Sequence, residues 1–258
     1  MTAEYVSFAV ELARHSGDII LANFEKIRDV AVKPDGSPVT SVDQRINREV
    51  AERIIERYPR HAVLGEEGHY GDGTESHRWI CDPLDGTAAY ILGLPNSVFM
   101  LALMVDDELA VSVVLDPFVN RLYRAVRGAG AWCDNRTIQV SHQTLRDGYV
   151  VLGSDGYPFA SGLRQAGAQV EAVPGTGYKS MMVASGRAVG LVKSSADFHD
   201  IAPAALIVRE AGGKVTSLDG SPLVLDRPIG GGVIVSNSTA HPELVAIAAR
   251  AGHAEVER

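Results

Sequence analysis

Apolar and polar residues alternate in short groups over residues 3–24, and Val42, Ile46, Val50, Ile54 and Tyr58 then recur at every fourth position until Pro59 stops the run. Both patterns predict amphipathic helices, each burying one stripe, and proline ends the second. Between them, AVKPDGSPVTSVD (residues 31–43) is rich in turn formers, and predicts a β-hairpin or loop flanked by Lys33 and Asp43. From about residue 61 the pattern changes to short β-rich runs, AVLG, RWICD, SVFMLALMV, LAVSVVLDP and RLYRAV, separated by turn signals at Asp106-Asp107 and Asp116-Pro117. These predict a sheet with several antiparallel neighbours. In the second half YVVLGS and VGLVK read as strands, residues 178–186 and 200–211 as helices, GVIVSN as a last strand and residues 242–251 as a closing helix. Gly212-Gly213 caps the second of these helices. The fold class is α+β, with helices packed on two sheets. No repeat or linker divides the chain, so 1–258 is expected to form one domain of two packed halves, roughly 1–145 and 146–258.

Composition narrows the function classes. A hydrophobic content of 46% in 258 residues supplies an enzyme-sized core. With 24 basic against 32 acidic residues, the net charge of -8 argues against nucleic acid as a partner. An acidic protein can still bind an anionic substrate when cations bridge the two. Cys81 and Cys133 lie in no CxxC or Cys/His spacing, which speaks against a disulfide framework or zinc site. The N-terminal MTAEYVSFAVELARHSGD carries acidic residues in its first turns, unlike a signal peptide. The longest apolar stretch, Val98–Val105, is too short to span a bilayer. The expectation is a cytoplasmic protein with no membrane partner.

The chemistry concentrates in WICDPLDGT, residues 79–87. An apolar strand ends at Cys81, Asp82 and Asp85 follow, and Gly86-Thr87 turn the chain. Carboxylates at the carboxyl end of a strand project into a crevice, and a helix starting after Thr87 would offer free N–H groups to a phosphate oxygen. The same Asp-Pro and Asp-Gly pairs equally cap ordinary turns. Two further features favour a site: GEE at 65–67 follows another short strand and would deliver Glu66 to the same crevice, and Asp200 opens a helix, HDIAPAALIVREAGG, as N-cap or ligand. Hard oxygen ligands without paired His or Cys suit Mg²⁺, Mn²⁺ or Ca²⁺ rather than zinc, with Mg²⁺ the expected ion. Carboxylates brought together repel one another unless cations intervene, although spacing alone does not show that these converge. A phosphorylated aspartate of the Asp-x-Asp-Gly-Thr type is disfavoured, because both Pro83 and Leu84 separate the aspartates here. Neither GxxxxGK[ST] nor GxSxG occurs.

Taken in order, GEE, DPLDGT, GAGAW with Asn135, and HDIAPAALIVREAGG resemble the inositol monophosphatase family over nearly the whole chain. The resemblance implies a layered αβαβα sandwich of the inositol monophosphatase / fructose-1,6-bisphosphatase type. It also implies a homodimer and a requirement for Mg²⁺, at two or three ions per subunit. By the same resemblance Glu66, Asp82, the Leu84 carbonyl, Asp85 and Asp200 are metal ligands. Thr87 and Asp43 orient and deprotonate the attacking water, which Glu66 shares; Asp85, Gly86, Thr87 and Asp200 also meet the substrate, and Lys33 matches a lysine on a metal-site loop.

Departures from the family concern the substrate. Ala88-Ala89-Tyr90 stand where a polar pair is common, His199 replaces a tryptophan and is expected to pack, and Lys193 stands where inositol phosphatases carry a glutamate. A lysine cannot accept a hydroxyl hydrogen bond but pairs with a carboxylate or second phosphate, so Lys193 is a candidate substrate contact. His69, His142, Tyr178 and Lys179 are expected to be structural or surface residues. The expected function is Mg²⁺-dependent hydrolysis of an inositol-, cyclitol- or sugar-phosphate-like monoester. The alternatives are a histidinol-phosphate or bisphosphate-nucleotide phosphatase of the same family, and a non-catalytic binding module on this fold.

Overall fold

The computed structural model describes residues 2–26, 29–34, 36–71, 76–225, 229 and 231–256, of which 252–256 by backbone alone. The N-terminal helix α1 (Thr2–Asn23) is followed by the hairpin β1 (Val30–Val32) and β2 (Pro38–Thr40), and then by α2 (Ser41–Arg57). Thr40 caps α2: its hydroxyl accepts the Val42 N–H at 3.2 Å, and the Asp43 carboxylate accepts the Thr40 N–H at 3.0 Å. This reciprocal capping box fixes Asp43 before any chemistry is asked of it.

An eight-stranded sheet follows, made of β3 (Ala62–Gly65), β4 (Gly68–Tyr70), β5 (His77–Asp85), β6 (Val98–Val105), β7 (Glu108–Asp116), β8 (Arg121–Val126), β9 (Gly130–Cys133) and β10 (Arg136–Thr137). Its spatial order is β10-β9-β8-β7-β6-β5-β3-β4, and β3 and β5 form its one parallel pair among the described residues. The short helix α3 (Thr87–Ile91) leaves the end of β5.

The second sheet comprises β11 (Tyr149–Leu152), β12 (Gln169–Ala172), β13 (Gly190–Lys193), β14 (Lys214–Ser217) and β15 (Val233–Ser236), in the order β12-β11-β13-β15-β14. The helices α4 (Tyr157–Gln165), α5 (Thr176–Ala184), α6 (Phe198–Glu210) and α7 (His241–Val256) complete the fold.

Strand side chains alternate between two cores. Trp79, Phe99, Leu101 and Leu103 pack under α1 and α2, whereas Ile80, Met100, Ala102 and Met104 join residues of α5 and α6 on the other face. A third core of Val150, Leu152, Phe159, Leu163, Ile234 and Leu244 lies between the second sheet and α4 with α7. The layers therefore run helix, sheet, helix, sheet, helix. A sheet covered on both faces needs near-continuous apolar strands, which is what VFMLALMV supplies.

Several elements escape the sequence pattern. Helix α4 buries only Phe159, Ala160 and Leu163 among nine residues that include serine and glycine, and in β12 every residue but the half-buried Val170 is exposed. Helix α5 starts at Thr176 rather than 178, and the difference matters for the site. Among the described residues no helix is long and apolar enough to cross a membrane.

Candidate active site

The parallel register of β3 and β5 pairs Gly65 with Cys81, and the Glu66 N–H donates to the Cys81 carbonyl at 3.0 Å. Glu66 and Asp82 therefore leave two adjacent strand ends side by side. Gly65 is required here, because a Cβ would stand 1.9 Å from Asn47 Oδ1. Beyond Asp82 the ladder slips: Asp82 pairs with Met100 but Asp85 with Val98, so β5 carries one extra residue between them. Side chains three apart in a regular strand point to opposite faces; the bulge turns Asp85 to the side of Asp82.

Asp85 is then clamped by the start of α5. Its Oδ1 accepts the Thr176 N–H at 2.7 Å, and its Oδ2 accepts those of Gly177 at 2.9 Å and Tyr178 at 3.3 Å. These N–H groups have no partner within the helix, and the helix dipole favours a negative charge there. Burial, followed by the nearby Asp200 charge, nevertheless lifts the Asp85 carboxyl to about 6, with the Thr176 N–H opposing the rise.

Asp82 is only 1% exposed. One oxygen accepts the Leu84 N–H at 3.0 Å, and no lysine or arginine pairs with the carboxylate among the described residues. Burial and the charges of Glu66, Asp85 and Asp200 push its pKa well above the usual carboxylate range. A buried acid in this setting needs either a proton or a cation.

The other carboxylates have lysines against them. Lys33, from the turn of the β1–β2 hairpin, lies 2.6 Å from Glu66 Oε1 and 2.5 Å from Glu67 Oε1. Burial disfavours its charge, but Glu66 and Glu67 outweigh that and raise its pKa. Lys193 Nζ donates to Asp200 Oδ2 at 2.9 Å and to Thr176 Oγ1 at 2.8 Å, with Asp155 Oδ2 at 3.6 Å. Thus Lys193 is spoken for by the site's own groups. Among the described residues no three His, Cys, Asp or Glu side chains close into a ready-made ion cage.

Thr87, the first residue of α3, places its hydroxyl 3.0 Å from both Asp43 Oδ1 and the Leu84 carbonyl oxygen. Asp43 itself is 0% exposed, so its only route to the cavity is through Thr87. Burial raises its pKa, and the Thr40 and Thr87 hydroxyls hold the rise back. Gly86 precedes the helix with φ 86°, a left-handed conformation suited to glycine.

Glu66, Asp85, Gly86, Thr87, Lys193 and Asp200 line one open cavity of about 520 Å³. Asp82 lies behind them, and Leu84 and Asp43 are fully buried beneath. The expectation that His199 packs is not met: its Nε2 faces Asp200 Oδ1 at 3.6 Å and Glu66 Oε1 at 3.8 Å, because the first turn of α6 opens towards the cavity. Lys179, which has only a weak functional claim from sequence, is 2% exposed and lines the same cavity. His69 is exposed on β4 and His142 in a loop. Sequence reasoning also passed over Asp155 and Gly175. A signal for the latter was present in Gly175-Thr176-Gly177 before an apolar helix, a common start for an anion-holding helix.

The description "Inositol monophosphatase family" belongs to the family model that matches residues 1–253. The chain belongs to the inositol monophosphatase family. Among relatives of this family, an inositol-1-monophosphatase of Rhizobium meliloti is 30% identical over 88% of each chain. A protein named Nus factor SuhB, from Pseudomonas aeruginosa, is 30% identical over 91% of each. A solved structure of an IMPase from Thermotoga maritima superposes with a TM-score of 0.91 at 26% identity, covering 97% of this chain and 98% of that one. Membership of the inositol monophosphatase family places the chain among phosphoric monoester hydrolases on the layered αβαβα fold.

Proposed function

We propose that this protein is a Mg²⁺-dependent phosphomonoesterase that hydrolyses a small-molecule phosphate by direct attack of an activated water. The observation that carries the reading is Asp82, a buried carboxylate surrounded by Glu66, Asp85 and Asp200 with no basic side chain paired to it among the described residues. The donor set is oxygen only, which fits Mg²⁺. Glu66, Asp82, Asp85, Asp200 and the Leu84 carbonyl would hold it. Bound there, Mg²⁺ lowers the pKa of water and neutralises charge on the transferring phosphoryl group.

The chain's own groups do the rest. Thr87 positions the attacking water and passes its proton towards Asp43, whose burial makes it a stronger base than an exposed aspartate. The Gly86 and Thr87 N–H groups hold phosphate oxygens, and Glu66, paired with Lys33, would also be a ligand of the bound metal. Two or three ions per subunit and a homodimer belong to the same reading on the strength of the resemblance, and two packed halves and a cytoplasmic setting belong to it on the strength of the sequence pattern. The substrate is read as an inositol-, cyclitol- or sugar-phosphate-like monoester, with histidinol and bisphosphate-nucleotide phosphates as the nearest alternatives. A binding role is a second reading, favoured by the name Nus factor given to the Pseudomonas aeruginosa relative.

Phosphate release over a panel of inositol, sugar, nucleotide and amino-alcohol phosphates tests the proposal. Turnover of at least one class with Mg²⁺, stopped by EDTA and restored by excess Mg²⁺, is expected. Turnover that survives EDTA would overturn the Mg²⁺ dependence, and none on any class would overturn the enzymatic reading and leave the binding role.

A further inference from the structure

Lys179, on α5, is 2% exposed and lines the candidate active-site cavity. Among the described residues its ammonium has no hydrogen-bond partner, and no carboxylate lies within ion-pair distance. Its neighbour Lys193 differs in this respect, being held by Asp200 and Thr176. The space for the Lys179 head group is made by Gly153: a Cβ there would stand 2.6 Å from Nζ and 2.8 Å from Asp155 Oδ1. Burial, the largest influence, lowers its pKa, and Lys193 repels it, while Asp155, Asp85 and Asp200 act on it only from beyond ion-pair distance. A desolvated ammonium with no carboxylate in contact is unfavourable, and an anion brought by a ligand removes that penalty. A neutral hydroxyl would satisfy the hydrogen bond but not the charge.

We propose that Lys179 is a specificity residue that binds a second anionic group, a carboxylate or phosphate, on the substrate's leaving portion. This rests on the phosphatase reading for the place of the scissile phosphate. The substrate class is then a sugar acid phosphate or a bisphosphate rather than a neutral polyol phosphate. The second-anion contact assigned to Lys193 from sequence moves to Lys179.

The test uses two matched pairs, glycerol 3-phosphate against 3-phosphoglycerate for a carboxylate, and fructose 6-phosphate against fructose 1,6-bisphosphate for a phosphate. In at least one pair the wild-type kcat/KM should favour the doubly anionic member by about tenfold or more, mainly through KM. In Lys179→Met and Lys179→Gln that ratio should fall towards one. No preference in either pair, or a preference unchanged by both substitutions, would overturn the proposal. Calorimetric binding of the same four compounds in Mg²⁺ separates this from the phosphatase reading. If none is hydrolysed, tighter binding of an anionic member that both variants lose still supports Lys179, and equal binding within both pairs counts against it.

Discussion

Asp82 and Asp85 meet only because one inserted residue turns β5, and the consequence is a pair of carboxylates held in neighbouring charge. Burial and neighbouring charge raise Asp85 to about 6 against an ordinary 3.8, and raise Asp82 in the same direction. An unfolded chain would ionise both at the lower value, so between about pH 4 and 6 the metal-free fold loses stability as pH rises. Under the proposed function Mg²⁺ would bind only the ionised groups and oppose that loss. The melting-temperature gain on adding Mg²⁺ should therefore be larger at about pH 7.5 than at about pH 5, and metal binding should release protons. A gain that is equal or larger at the lower pH would contradict the assignment. Thr87 gives a second test at this scale. Thr87→Val removes the hydroxyl between Asp43 and the cavity; kcat should fall by about 10² or more with a smaller change in KM, while Thr87→Ser keeps much of the activity. Lost hydrogen bonding to buried Asp43 should lower stability by about 1 kcal/mol, measured by urea unfolding.

At the element scale the decisive contact is between the end of β5 and the start of α5, residues 91 apart at Asp85 and Thr176. Gly175 makes it possible: its φ is +79°, and a Cβ would lie 2.8 Å from Asp85 Oδ2. Gly175→Ala should lose about 1–2 kcal/mol in urea unfolding and weaken Mg²⁺ binding. Gly93→Ala is the control, since Gly93 also has positive φ (+73°) but nothing within 4 Å of its Cβ position. It should show the backbone penalty alone and retain metal affinity; equal effects on Mg²⁺ at both positions would remove Gly175 from the account. The motif WICDPLDGT was legible as a strand end with two acids, but the bulge was not, since Pro83-Leu84 carries no pattern that separates a bulge from a turn. The start of α5 was missed by two residues for a similar reason: Thr176 and Gly177 have no periodicity to mark them.

For the whole molecule, the layering was legible because VFMLALMV has apolar residues on both faces and must be covered twice, by α1 and α2 on one side and by α5 and α6 on the other. The four acids were legible as candidates because strand ends and a helix start are recognisable locally. What lies opposite them was not. Lys193 holding Asp200, Lys33 holding Glu66 and Glu67, and the unpaired Lys179 all depend on how hairpin, sheets and helices meet in three dimensions. The balance of the site follows from that meeting: lysines answer Glu66 and Asp200, helix N–H groups answer Asp85, and Asp82 has no basic partner among the described residues, the position the proposed function gives to a metal. Titrating metal-stripped wild-type protein and Asp82→Asn with Mg²⁺ while following phosphate release tests this most directly. Wild-type activity should rise from nothing to saturation. The variant should stay at least about 10²-fold lower at any Mg²⁺ concentration, yet melt no lower than wild type without metal, because a like charge has been removed. Full activity in Asp82→Asn at high Mg²⁺ would contradict the account.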